Sequence, residues 1–227
     1  MRYKTVLDTV KRYFVCSYGG CASWTLLQFL QNNGVTYHIH SNRPPELLTL
    51  PVSRKLIHRL LNYGMREHFS NRKKHRIIDT SNCYVIYLYV KPAYSILSRK
   101  AFSQRHLKSI GVKPQNLKKL KTLSRKEYLV GRTNLIDYES FFDNYVVKGI
   151  NRNYDIIAVN VHKLWDNLPK FFSFTDIPLS EIKKFPKKRP HNAEKLLEKY
   201  VKSGYAYGSL NEKIDAMDPI TLLKGSE

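Results

Sequence analysis

The chain is poor in acidic residues and in cysteine, and it lacks several sequence devices that announce a chemistry directly. Only 18 aspartates and glutamates stand against 39 lysines and arginines, a net charge of +21 over 227 residues. That surplus points to an anionic partner: nucleic acid, a phosphorylated nucleotide, an acidic glycan or a membrane surface. Cys16, Cys21 and Cys83 lack metal-type spacing, so neither a disulfide framework nor a zinc site is expected. A reduced, cytoplasmic protein is expected instead. Met1 to Asp8 hold no apolar stretch of the secretory kind. No run reaches the ~18 apolar residues of a membrane span. Repeats and low-complexity segments are absent. No Ser/His/Asp or Cys/His arrangement for a nucleophilic enzyme stands out.

Against these absences stand 42% apolar residues, enough for one α/β domain over residues 1–227 with a sizeable core. The patterning alternates strand and helix. Tyr13 to Cys16 read as a buried strand. Ser23 to Asn33 read as a helix with Leu26, Leu27, Phe29 and Leu30 on its apolar face, stopped by Asn33-Gly34. Val35 to His40 read as a second strand. Residues 46–76 read as mostly helical, ending in a basic exposed turn from Asn71 to Arg76. Tyr84 to Val90 and, apart from Asp155 and Asn160, Tyr154 to Val161 are apolar, as strands buried on both faces of a parallel sheet should be. Helices are expected over 93–102, 138–150, 163–171 and 192–202, with a last helical piece running to Leu223. The lysine-rich stretch 107–136, with Lys118, Lys119 and Lys121, reads as a lid or insertion, and 183–189 as a second basic segment.

This alternation implies an α/β fold of three layers, a parallel sheet flanked by helices. Ligands of such sheets bind at the carboxyl ends of the strands. That places Tyr18 to Thr25, Ser41 to Pro45, Lys91 to Ser98 and Val161 to Lys163 at the functional edge.

Ser17-Tyr-Gly-Gly-Cys-Ala-Ser-Trp-Thr25 joins the first strand to the first helix. A helix N-terminus behind a glycine turn presents unpaired N–H groups and the positive end of the helix dipole, which together form an anion site. The loop has no lysine, so it is not a Walker A loop, and it lacks the Gly-x-Gly-x-x-Gly of a dinucleotide fold. Its glycine pair allows close backbone approach, and Ser23 and Thr25 add hydroxyls. The bland alternative is an ordinary Gly-Gly turn capped by Ser23. Further on, Lys91-Pro92 ends the third apolar strand and Ser98 follows on the next helix. A cation and a hydroxyl so placed can clamp one phosphate. Taken singly, they are also an ordinary strand stop and a solvated helix position.

The pattern strand–Ser-Tyr-Gly-Gly-x-x-Ser–helix resembles the 5′-phosphosulfate-binding loop of P-loop sulfotransferases, which use 3′-phosphoadenosine-5′-phosphosulfate (PAPS). Tyr84 to Ser98 resembles the family's 3′-phosphate motif, with Pro92 and Ser98 at the family spacing. Phe185-Pro-Lys-Lys-Arg189 resembles the basic segment that closes over the cofactor. The resemblance runs over roughly residues 12–200. It implies a P-loop NTPase-like, sulfotransferase-like fold and transfer of a sulfuryl group to a hydroxyl of a glycan or small molecule. It implies PAPS held by Tyr18, Gly19, Gly20, Cys21, Ala22, Ser23, Trp24, Thr25, Lys91, Ser98, Lys187, Lys188 and Arg189. No metal is implied. The chain departs from the family at Gly20, where a lysine usually stands, and at Val90, where an arginine does; Lys91 comes one position later.

Sulfuryl transfer needs a base for the acceptor's proton and cations for developing charge. His40 at the end of the second strand is the expected base, with Arg43 as a nearby cation. A histidine at a strand end is also commonly structural. His38, His58, His68, His75, His106, His162 and His191 are secondary candidates. Two alternatives on the same fold stay open: a catalytically degenerate nucleotide-binding protein, and a nucleic-acid-binding protein. The latter draws on the basic charge, 16 tyrosines and segments such as Lys11-Arg12-Tyr13-Phe14. The missing Walker lysine disfavours a nucleotide kinase.

Overall fold

Apolar runs without a charged interruption pair side by side when helices cover both faces, and four such runs form the heart of this protein. The computed structural model describes residues 10–39, 41–46, 48–51, 74–76, 79–98, 104–124, 127–128, 134–147, 151–188 and 207–225. The strands in chain order are β1 (Arg12–Ser17), β2 (Val35–Ile39), β3 (Thr49–Pro51), β4 (Lys74–Arg76), β5 (Cys83–Tyr89), β6 (Ile156–Asn160) and β7 (Ile220–Leu223). The helices are α1 (Ser23–Leu30), α2 (Pro92–Ser98), α3 (Gln104–Ser109), α4 (Pro114–Thr122), α5 (Tyr138–Val146), α6 (Val161–Leu164), α7 (Leu168–Phe174) and α8 (Gly208–Ala216).

The main sheet has the order β2-β1-β5-β6-β7. β1 pairs in parallel with β2 and with β5, and β5 with β6, so that Cys16 lies between Ile39 and Tyr87. The expectation of a wholly parallel sheet fails at the edge. β7 runs antiparallel to β6, so the expected last helical piece, which is α8, stops short of Leu223. Pro219 stops α8, and its carbonyl accepts the Asn160 N–H at 2.8 Å. Arg152 then holds the far end of β7 by donating to the carbonyls of Leu223 and Lys224 at 3.3 and 3.0 Å.

Side-chain alternation along β1 and β5 sorts the core into two layers. Phe14, Cys16, Val85 and Tyr87 face α5, where the Tyr87 ring stacks on Tyr145 at 4.4 Å. Leu88 faces α1 and the α6–α7 segment, where Phe29 meets Phe185 at 4.7 Å and Phe172 at 5.6 Å. Cys16, Cys21 and Cys83 are free and buried. No helix among the described residues is long and apolar enough to cross a membrane.

Other differences from the expected elements have local causes. α1 ends at Leu30, short of Asn33. Gly34 serves a close approach rather than a left-handed cap, because a Cβ there would lie 2.4 Å from the Lys11 carbonyl oxygen. The helix expected over 163–171 is split into α6, a 3-10 turn at Trp165–Asn167, and α7. Pro169 sits in the first turn of α7, where its missing N–H is tolerated and a continuous helix is not. The ends of the stretch read as helix over 46–76 are β3 and β4, an antiparallel pair too short to show a strand period. The described parts of 107–136 form α3 and α4 and pack onto the core through Leu107, Ile110, Leu117, Leu120 and Tyr128. The helix expected over 192–202 lies outside the described residues.

Two tyrosine hydroxyls of the core differ in a testable way. Tyr87 is fully buried, and its hydroxyl has no hydrogen-bond partner among the described residues. The Tyr145 hydroxyl accepts from Cys16 Sγ at 2.9 Å and lies 3.1 Å from the carbonyls of Ser41 and Arg43. Tyr87→Phe is expected to stabilise the fold by about 1 kcal/mol and Tyr145→Phe to destabilise it by about 1–2 kcal/mol, read from urea midpoints. Equal effects of the same sign would refute this hydrogen-bonding scheme.

Candidate functional site

The turn after β1 is fixed to the end of β5 by side-chain hydroxyls. Tyr18 is buried, and its hydroxyl donates to the Val90 carbonyl and accepts the Val90 N–H at 2.8 Å. Ser95 of α2 donates to the Gly19 carbonyl at 2.6 Å, and Ser98 to the Gly20 carbonyl at 3.1 Å. Gly19, Gly20 and Ala22 all have left-handed backbones, with φ of 89°, 70° and 50°. For Ala22 that conformation costs about 1–2 kcal/mol, strain of the kind that collects at binding loops. At Gly20 the fit is tighter still. A Cβ would lie 2.4 Å from Ser98 Oγ and 2.6 Å from the Ser95 carbonyl oxygen.

α1 begins directly behind this turn with Ala22 as its N-cap, without a side-chain cap and without an acidic residue in its first turn. Its first-turn N–H groups therefore have no intrahelical acceptor, and the positive end of the helix dipole is uncompensated there. A cleft of about 320 Å³ opens at this point, lined by Gly20, Ala22, Thr25, Val90, Tyr94, Ser98, Val161, His162, Trp165, Lys187 and Lys188. It lies at the carboxyl ends of β1, β5 and β6, where a parallel sheet places its ligands. None of these residues is acidic.

The two lysines reach the cleft because the segment that carries them is anchored. Phe185 is buried against Phe29, Phe171 and Phe172. The Trp165 indole donates to the Pro186 carbonyl at 2.7 Å, and Lys188 Nζ donates to the His162 carbonyl at 3.2 Å. Lys187 and Lys188 are exposed, and neither has an acidic partner among the described residues. Opposite them the His162 ring stands edge-on to Tyr94, with centroids 4.0 Å apart.

Of the residues the sequence singled out, Gly20, Ala22, Thr25, Ser98, Lys187 and Lys188 come together in this cleft. Tyr18 and Gly19 support it from beneath. Ser23 is half-buried at the helix start, and Trp24 beside it is 57% exposed. Cys21 is buried and donates to the Gly19 carbonyl at 3.3 Å, so its thiol faces inward. Lys91 points elsewhere, paired with Asp215 of α8 at 2.6 Å. Arg43 is exposed on the loop that Tyr145 holds, and it does not line the cleft. His40 and Arg189 lie outside the described residues.

Tyr94 and Trp165 are cleft side chains that sequence reasoning did not single out, and His162, a secondary candidate for the base, lines the cleft with them. Their signal was positional: each follows the carboxyl end of a central strand within a few residues. Among the described residues no group of His, Cys, Asp and Glu could hold a metal ion.

Gly20→Ala should lower the unfolding free energy by about 2–4 kcal/mol, combining left-handed strain with a clash against α2. A urea midpoint equal to that of the unaltered protein would show that α2 does not close on the loop as described. No protein-family model, curated protein or solved structure matches the chain.

Proposed function

We propose that this cleft binds the phosphate groups of a phosphorylated nucleotide of the PAPS type, and that the protein is a sulfotransferase acting on a hydroxyl acceptor of a glycan or small molecule. The observation that carries the proposal is the convergence of Gly20, Ala22, Thr25, Ser98, Lys187 and Lys188, far apart in sequence, on one acid-free cleft. The residues suit an anionic group on three counts. The loop backbone at Gly20 leaves no space for a side chain. The first turn of α1 offers unpaired N–H donors. Two ammonium groups stand beside it, without acidic partners among the described residues. Three free buried thiols also suit a reducing, cytoplasmic setting.

PAPS, when bound, supplies a sulfuryl group already activated by its bond to phosphate. The chain's own part is to hold, orient and neutralise. The α1 N-terminus and Thr25 position the anionic end, while Lys187 and Lys188 hold charge that develops on the leaving side. The Gly20 geometry bears on that assignment. A lysine at position 20 would collide with Ser98 and Ser95, so the cation must come from another part of the chain, and the anchored 187–188 segment provides it. His162 is the imidazole of the cleft and takes the role of proton acceptor expected of His40.

A second reading, nucleotide binding without transfer, is favoured by two observations: Gly20 closes off the usual lysine position, and Lys91 is engaged with Asp215. Nucleotide binding is tested by thermal shift, and sulfuryl transfer separates the two readings. A thermal-shift series should show stabilisation by 3′-phosphoadenosine-5′-phosphate and little by ATP or inorganic phosphate. At a hundredfold excess over Kd the linkage is about 2.7 kcal/mol, a rise of about 5–10 °C for a chain of this size. No rise, or an equal rise with ATP, would overturn the proposal.

Replacing Lys187 and Lys188 together by alanine should weaken that binding by about 10²–10⁴-fold, at about 1.5–3 kcal/mol for each charge-assisted hydrogen bond removed. Lys91→Ala should leave it within about twofold. His162→Gln should retain nucleotide binding yet abolish sulfuryl transfer to an acceptor. Binding with no transfer by the unaltered protein would establish the second reading.

A further inference from the structure

A second, separate basic feature lies on the α3–α4 pair. Between Asp79 and Glu127 the chain contains no acidic residue. α3 and α4 turn on each other through Gly111, whose φ is +84°. Their inner side is fastened to the core by Leu107, Ile110, Leu117 and Leu120. Their outer side presents Lys108, Lys113, Lys118, Lys119 and Lys121, all exposed. Not one of these five makes an ion pair among the described residues. Lys11, Lys91, Lys170, Lys184, Lys213 and Lys224, by contrast, each have an acidic partner. Lys118, Lys119 and Lys121 fall within about one helical turn, where like charges repel. Burial of Leu117 and Leu120 holds them there.

The chemistry of this face narrows what it fits. The exposed large apolar residues among those described are Trp24, Val147 and Leu179, and none belongs to this pair of helices. Among the described residues of these helices, insertion into a membrane surface therefore has nothing to work with. Nor do the described residues place an exposed aromatic ring here on which unpaired bases could stack. The five cations are lysines, point charges that lack the planar fork used to read base edges. Such a face grips closely spaced anionic groups and reads no sequence. In the reducing setting that three free thiols suit, the abundant polyanion of that kind is nucleic acid.

We propose that the outer face of α3 and α4 is a docking surface for double-stranded nucleic acid, held through backbone phosphates. It is independent of the nucleotide cleft and shares no residue with it. The test is fluorescence anisotropy of the full chain with a labelled 25-base-pair DNA duplex at 50–200 mM salt. Engagement of three to five phosphates predicts a slope of log K against log salt of about −3 to −5.

The Lys118→Gln/Lys119→Gln/Lys121→Gln variant, its folding checked by circular dichroism, should lose affinity on the order of hundredfold at 0.1 M salt. Its slope should flatten by about 2–3. Lys187→Ala/Lys188→Ala should leave duplex binding unchanged. Three results would each overturn the proposal: no binding by the unaltered protein at 50 mM salt, an unchanged slope in the triple variant, or tighter binding to heparin or to anionic phospholipid vesicles than to the duplex.

Discussion

The parallel pairing of β1 with β5 is the constraint on which the cleft depends. Backbone hydrogen bonds hold the two strands from Arg12 beside Cys83 to Ser17 beside Leu88. Past that point the strands end, and side chains continue the seam. Tyr18 takes up both backbone groups of Val90, and Ser95 and Ser98 take up the carbonyls of Gly19 and Gly20. Gly19 and Gly20 make these ties in left-handed conformations that glycine adopts without steric cost, and Ala22 just beyond them adopts one at a cost that the surrounding packing must offset. The result is a turn whose carbonyls are occupied on the α2 side, ahead of a helix start with uncapped donors. Under the proposed function, a loop organised this way would receive an anion without reorganising, which is what preorganisation means energetically.

Charge is distributed around this scaffold unevenly. The acids are few, and several of the described ion pairs fasten one element to another: Lys91 to α8, Lys213 to α5, and Lys224 to the start of β6. Exposed pairs of this kind contribute little stability singly. Their larger effect is on where positive charge remains uncompensated. Among the described residues, unpaired positive charge includes Lys187 and Lys188 at the cleft and the lysines on the outer side of α3 and α4. At the cleft an aromatic anchor, Phe185 with Trp165, sets where the two ammonium groups can reach.

The sequence was most legible where burial was complete. β1, β5 and β6 are apolar because helices lie on both faces, and that pattern survives without knowledge of partners. β7 was hidden for the opposite reason: it is a four-residue edge strand whose one buried side chain is Ile220, too little to show a period. The break between α6 and α7 was marked by Pro169 but masked by the continuous apolar spacing around it. At the site, the glycine turn, Ser98 and the 187–188 lysines were readable as separate pieces of a phosphate-binding pattern. Their meeting depends on tertiary packing of Phe185 and on the α2 seam, and no local pattern encodes either. Lys91 shows the converse. Its position at a strand end fitted a phosphate clamp, yet a carboxylate from the far end of the chain, Asp215, claims it.

The three free thiols give the seam an internal clock. Cys16 lies in the middle of β1, Cys21 in the turn and Cys83 at the start of β5, at 0%, 1% and 9% exposure. Burial pushes the Cys16 thiol up to about 12 and raises that of Cys83 as well, so each is less reactive than a free thiol while the sheet is closed. An alkylating reagent can reach them only through momentary openings. Its rate at each site therefore times a different event: fraying at the foot of β5, release of the loop, and parting of the central strands. The chain thus carries three built-in chronometers, set at successive points along the interaction that shapes its cleft.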